Sequence, residues 1–499
     1  MFEKPRARDG ANARSRFASC AGWCQALPVK ACVHTPGIEQ PRRPRFKAPD
    51  TLRARAREHG ALGLYLLRWL ALAAPLGAAI GCACALFLWS LDRVTQARFD
   101  HPALLFLLPF GGAAIAWVYE RFGGASAGGN NLLMDAINAD ENSDSSPIVP
   151  RRMAPLILLA TLGTHLFGGS AGREGTAVQM GGSIAAAWGR ALKLNASDVR
   201  VVLMAGVAGG FGGVFGTPLA GAVFAMEVLA IGRLSYEALI PCLVAALVAD
   251  ATSHVWGIGH DTIAISNAWQ SFGSPIGFLL ALKVVFAAVL FGLVSVLFAE
   301  LTHGIQNLFA RVIASPILRP VVGGIGIIGL TFLLGTRDYL GLGASSPDSH
   351  GTTIASAFLP DGAGDWSWWW KLFFTALTLG SGFKGGEVTP LFFIGATLGN
   401  VLARLLGAPV DLFAGLGFVA VFAGATNTPL ACTLMGIELF GAGAALPMTM
   451  ACFVAYIASG HSGIYSSQRI GTPKLRALGL EPNSTLASLR HPLHKEKRR

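Results

Sequence analysis

Apolar positions in this chain come in long unbroken runs rather than as a stripe along a helix or as strand-like alternation. Runs at about 64–92, 101–119, 235–256, 275–300, 318–335 and 412–424 with 428–459 hold few polar residues. A bilayer core takes roughly 20 consecutive apolar residues in helical form, and a helix apolar on all sides must be buried in protein or lipid. A second set of runs, 152–171, 175–192, 201–232 and 388–407, is interrupted by Gly and Pro. Broken backbone at membrane depth is tolerated where it lines a cavity or packs inside protein. The pattern predicts an all-α polytopic membrane protein with tilted, broken helices.

The polar positions at the breaks repeat. Gly172-Arg173-Glu174-Gly175-Thr176 and Gly385-Gly386-Glu387-Val388-Thr389 each place a carboxylate and a hydroxyl where an apolar helix begins. About forty residues after each comes a second shared pattern, Thr217-Pro218-Leu219-Ala220 with Glu227, then Thr428-Pro429-Leu430-Ala431 with Glu438. Duplication of this kind in a membrane protein points to two halves with an ion site where they meet, built from broken helix ends.

Composition supports the membrane reading. The 499 residues are 53% hydrophobic and only 13% charged, with a mean hydropathy of +0.52, against about 25% charge for a soluble domain. The 62 glycines permit close helix packing as well as breaks. The net charge of +11 is concentrated towards the ends: residues 1–60 carry thirteen Lys or Arg against five Asp or Glu. Residues 1–60 read as a basic, disordered segment, 61–470 as the membrane domain, and 471–499 as a short basic tail. Within the domain the first repeat covers about 65–255 and the second about 270–465. Basic flanks place both termini in the cytoplasm and give no case for a nucleic-acid partner. The eight cysteines form no metal or disulfide pattern, no cofactor motif occurs, and no Ser/His/Asp set or H-E-x-x-H suggests an enzyme.

Glu174 carries the sharpest chemistry. An ionisable group inside a membrane is costly and usually faces a cavity. At a helix start it meets free backbone N–H groups and the positive end of the dipole, which is an anion site. A glutamate there can fill the site as a tethered anion and leave it on protonation, serving as gate and proton carrier. The plainer alternative is a helix cap with an Arg–Glu pair. Glu387 stands at the repeated position, with capping beside Lys384 as its own plain alternative. Glu227 and Glu438 read as stabilisers of helix ends or of the repeat interface. His165 reads as a core histidine.

Gly172-Arg173-Glu174-Gly175 resembles the G-R-E-G signature of the CLC family of chloride channels and proton-coupled anion antiporters. Gly129-Asn130-Asn131 is loosely similar to that family's first pore loop, Gly385 to Pro390 falls on its third, and Tyr465 falls on its pore-lining tyrosine. The resemblance covers roughly 65–470. It implies the CLC fold with two inverted-topology repeats, one pore per subunit, a homodimer with the Thr-Pro-Leu-Ala helices at its interface, and Glu174 as the gate.

Departures from the chloride pattern narrow the branch. Asn130 stands for the loop serine, or Gly129 does if the register slips by one. Leu133 replaces its proline, Thr176 replaces the proline of G-R-E-G-P, Val388 replaces the third-loop phenylalanine, and Val228 stands where chloride antiporters carry an internal glutamate. These features resemble the bacterial fluoride/proton antiporters of the family. The resemblance implies fluoride and proton partners, with chloride transport as the alternative, a bacterial inner membrane, and an accessory role for Glu387. The anion-binding candidates are then Asn130, Asn131, Gly172, Arg173, Gly175, Val388, Thr389 and Tyr465. Fluoride holds its water tightly, so close N–H and O–H donors such as Asn130, Asn131, Thr389 and Tyr465 suit it.

Overall fold

A computed structural model describes residues 52–139, 148–259, 263–265, 274–475, 480–481 and 483–490. Most of the basic segment 1–60 and much of the tail 471–499 lie outside the described residues. The first half contains α1 (Leu52–Asp100), α2 (Leu108–Val118), α3 (Gly129–Ile137), α4 (Met153–Leu166), α5 (Glu174–Ala191), α6 (Ala196–Phe215), α7 (Pro218–Glu227) and α8 (Leu239–Val255). The second contains α9 (Pro275–Val312), α10 (Leu318–Leu334), α11 (Ser367–Gly380), α12 (Val388–Leu406), α13 (Val410–Thr426), α14 (Pro429–Phe440), α15 (Ala445–Ala458) and α16 (Leu486–Arg490). Two short strands, β1 (Ala230–Ile231) and β2 (Arg469–Ile470), pair in parallel. Six helical stretches are long and apolar enough to cross a bilayer, and several shorter apolar helices are not. The chain is an all-α polytopic membrane protein.

The same device makes the break in each half. Helix α6 ends at Gly216 with φ 70° and α13 at Asn427 with φ 59°, both left-handed caps. Thr-Pro then restarts a helix, because proline's fixed φ suits the first helical position and no N–H is needed there. The resulting α7 and α14, of 10 and 12 residues, reach only about 15–18 Å at 1.5 Å per residue. Their first N–H groups therefore begin inside the protein and need partners.

Those partners come from the other half. Leu430 and Ala431 N–H donate to the Glu227 carboxylate at 3.1 and 2.9 Å. Leu219 and Ala220 N–H donate to Glu438 at 2.9 and 2.8 Å. Each helix ends with the carboxylate that caps the start of the other, which is possible only if the two run antiparallel. The repeats are thus inverted, and both glutamates act as the helix-end stabilisers the sequence suggests. Aromatic rings fill the seam, with Phe215 against Phe392 at 5.3 Å and Phe224 stacked on Phe422 at 5.8 Å.

The first pore-loop asparagines do not cap a helix. Helix α3 starts at Gly129 and has no side-chain cap. Gly129, at φ 56°, turns the chain just ahead of both asparagines, which leaves their side chains free to point elsewhere.

Candidate anion site between the two repeats

The two glycine-rich motifs lie against each other. Gly172 N–H donates to the Gly386 carbonyl at 2.6 Å and Gly386 N–H to the Gly172 carbonyl at 2.8 Å. Only glycine allows this approach: a Cβ on Gly386 would stand 2.7 Å from Gly175 N. The contact brings the starts of α5 and α12 face to face.

Glu174 is almost fully buried, at 1% exposure. Its carboxylate does not use the N–H groups of its own helix α5, as the sequence reading supposed. It crosses to the start of α12, where it accepts from Thr389 N–H at 3.0 Å and from Thr389 Oγ1 at 2.7 and 2.5 Å. Arg173 N–H lies 3.2 Å away and Arg173 Nε 3.4 Å away. One carboxylate thus collects two backbone N–H groups, a hydroxyl and a guanidinium at a helix N-terminus. An inorganic anion would be held by the same donors.

Glu387 breaks the symmetry. Thr176, the counterpart of Thr389, is hydrogen-bonded to Thr161 at 2.8 Å, and Glu387 leaves its Oε2 with no hydrogen-bond partner among the described residues. It does not cap and forms no close pair with Lys384, whose ammonium lies over the Tyr119 ring at 4.6 Å. Instead Glu387 lines a cavity of about 170 Å³ shared with Asn130, Asn131, Gln179, Lys384 and Tyr465. Asn130 Nδ2 and Glu387 Oε2 flank the same glycine: a Cβ on Gly175 would come within 3.2 and 3.4 Å of them. Asn131 is less free, because its side-chain oxygen accepts from Ser467 N–H at 3.0 Å. Val388 is buried and contributes the first turn of α12, while Tyr465 is buried beside the cavity.

Comparison with known proteins gives this arrangement a family. The model of the voltage-gated chloride channel family matches residues 111–460. This chain belongs to that family. A relative from Pseudomonas syringae pv. tomato, named "Chloride/fluoride channel protein", is 47% identical over 82% of this chain and 88% of its own length. The "Voltage-gated ClC-type chloride channel ClcB" of Salmonella typhimurium is 27% identical over 81% of this chain and 92% of its own length. Among solved structures, a CLC-type fluoride/proton antiporter superposes with a TM-score of 0.74 and 34% identity, covering 81% of this chain and 98% of that one. The protein has the CLC fold and is a CLC-type anion transport protein.

In this CLC protein several cavity residues escaped the sequence reading. Gln179, five residues into α5, stands across from Gly129 and lines the cavity. It is the lone amide in an apolar helix, so its polarity was a usable signal. Thr302, His303 and Gln306 of α9 line it too. They follow an apolar span without any motif, and only the packing of α9 brings them to the site. His165 sits fully in the interior, hydrogen-bonded to the backbone of Gly172, consistent with a core histidine supporting the motif loop.

Proposed function

We propose that this protein exports fluoride across the membrane in exchange for protons, with Glu174 as the exchanging group. The observation that carries the reading is the Glu174 carboxylate seated on Thr389 N–H and Oγ1 at the start of α12. As an anion it occupies the place an ion would take. Protonation removes the charge that holds it, so the side chain yields the seat to an anion and carries its proton away. Coupling follows because gate and proton carrier are one group. Asn130 Nδ2, Thr389 and Tyr465 supply compact donors, which favour an ion that gives up water only to close partners. The 34% identical fluoride/proton antiporter structure and the 47% identical chloride/fluoride relative favour fluoride.

Glu387 serves this reading as an accessory carboxylate beside the gate, standing in for the absent group at Val228. Two subunits associate through the Thr-Pro-Leu-Ala helices α7 and α14, where Leu219 is exposed. The setting is a bacterial inner membrane with both termini cytoplasmic, the first repeat spanning about 65–255 and the second about 270–465. Purified protein reconstituted in vesicles tests the reading directly. Efflux of fluoride, but not of chloride, should drive proton uptake against a pH gradient. Equal rates for the two anions, or fluoride efflux without protons, would reject it.

A further inference from the structure

Thirteen buried side-chain polar atoms have no hydrogen-bond partner among the described residues, and five of them line the single cavity that holds Glu387. They are Ser126 Oγ, Asn130 Oδ1, Thr302 Oγ1, His303 Nε2 and Glu387 Oε2. Buried polar groups are nearly always satisfied. A chamber of about 170 Å³ walled by five such atoms is polar enough and roomy enough for several waters, each needing about 10–15 Å³ of probe volume and 2–4 polar partners.

Two groups on its wall can take up and release a proton, the Glu387 carboxylate and the His303 imidazole. His303 lies in α9. The Gly463 carbonyl and the Gln306 side chain are hydrogen-bonded to the ring. Nε2 has no hydrogen-bond partner among the described residues; a carbonyl only accepts, so a neutral ring that keeps its hydrogen on the nitrogen facing Gly463 has a lone pair on Nε2 to take a proton. One turn earlier on the same helix, Glu300 accepts from Ser462 Oγ at 2.8 Å and from Arg490 at 3.0 Å. The Glu300 side chain is 51% exposed. The charged and titratable groups around His303 are therefore Glu300 on its own helix, Arg490 from α16, Lys384 and Glu387 ahead of α12, and Tyr119 and Tyr465 across the chamber. The chamber holds the buried carboxylate, and the helix that brings His303 to it carries the half-exposed Glu300 one turn away.

We infer that His303 relays protons between Glu387 and the compartment on the C-terminal side of the membrane, through water in this chamber. This rests on the exchange reading above and supplies the inner half of its proton path. In the export direction the O–H bond of protonated Glu387 breaks and the proton passes through water to the lone pair of His303 Nε2. The imidazolium then gives the same Nε2 proton to a further water, which carries it out of the chamber and leaves Glu387 as carboxylate and the ring neutral in its starting tautomer. No other reactant is needed.

The test uses full-length protein in vesicles, reading fluoride efflux and proton uptake together. His303→Gln keeps hydrogen-bonding size but cannot titrate, and should lower coupled proton uptake about tenfold or more, within the range positioned acid–base groups contribute. Imidazole, a diffusible stand-in for the missing ring, should restore uptake in His303→Ala in a pH-dependent way, which a structural role would not do. Should His303→Ala not fold, His303→Gln measured with and without imidazole carries the same comparison. A His303→Gln variant that takes up protons at the wild-type rate overturns the relay alone, provided the wild type couples. A loss that imidazole never relieves overturns it as well. Wild-type protein that moves fluoride without protons overturns the exchange reading and the relay together.

Discussion

Replacing Glu174 by Gln changes one atom and one charge, and the seat on α12 makes the consequence calculable. The carboxylate accepts from Thr389 N–H at 3.0 Å and from Thr389 Oγ1 at 2.7 Å, and hydrogen bonds to a charged group are worth about 1.5–3 kcal/mol each. The amide retains one acceptor oxygen at roughly 1 kcal/mol and turns the other position into a donor facing Arg173 or Thr389 N–H. The seat therefore loses about 2–4 kcal/mol of preference for the side chain, a shift of roughly 30-fold to 1000-fold at 1.36 kcal/mol per decade. An anion then competes with a weak occupant, and the occupant can no longer carry a proton. In vesicles loaded with potassium fluoride, followed by a fluoride electrode and a pH probe, the variant should release fluoride without taking up protons. It should fold, since shape and one capping oxygen persist. Proton uptake at the wild-type ratio in Glu174→Gln would refute the assignment of gate and proton carrier to one side chain.

Asn130→Ser should narrow the preference for fluoride over chloride about tenfold to a hundredfold, the worth of one lost bond to a charged ion; an unchanged flux ratio would show that Asn130 does not touch the ion. Glu387→Ala should suppress fluoride export more than Glu438→Ala when flux is normalised to folded protein. Glu438→Ala should instead lower thermal stability by about 2–4 kcal/mol, since two N–H groups of α7 lose their acceptor; equal flux losses with equal stability would contradict this division of roles. Lys474, in the segment after the last span, donates to Asn427 and Ser459 at 2.6 and 3.0 Å and also to the Tyr456 carbonyl, and burial lowers its pKa to about 7. The unfolded chain holds that proton up to about pH 10.4, so between pH 7 and that value the unfolded state binds more protons and stability rises with pH. Below pH 7 the group contributes no slope. Thermal denaturation between pH 6.5 and 9 should show the rise in wild type and a flatter profile in Lys474→Met; parallel profiles would refute it.

The sequence by itself determined the membrane class, the broken helices and the duplication, because these depend on local properties. Apolar length fixes what can cross a bilayer, and Thr-Pro after a left-handed cap restarts a helix wherever it stands. Glu227 and Glu438 were readable as helix-end residues for the same reason, their repeated spacing from the proline. Tertiary structure decided which helix each carboxylate serves. A free N–H at a helix start accepts any acid within reach, and reach is set by packing: Glu174 bonds to α12 rather than α5, and Glu227 and Glu438 each cap the helix of the other half. It also separated two glutamates that look equivalent in the chain. Thr389 is open to Glu174 while Thr176 is taken by Thr161, so Glu387 turns into the chamber. His303 belongs to that chamber only because α9 packs against it, a relation between residues far apart in the chain that no local pattern encodes.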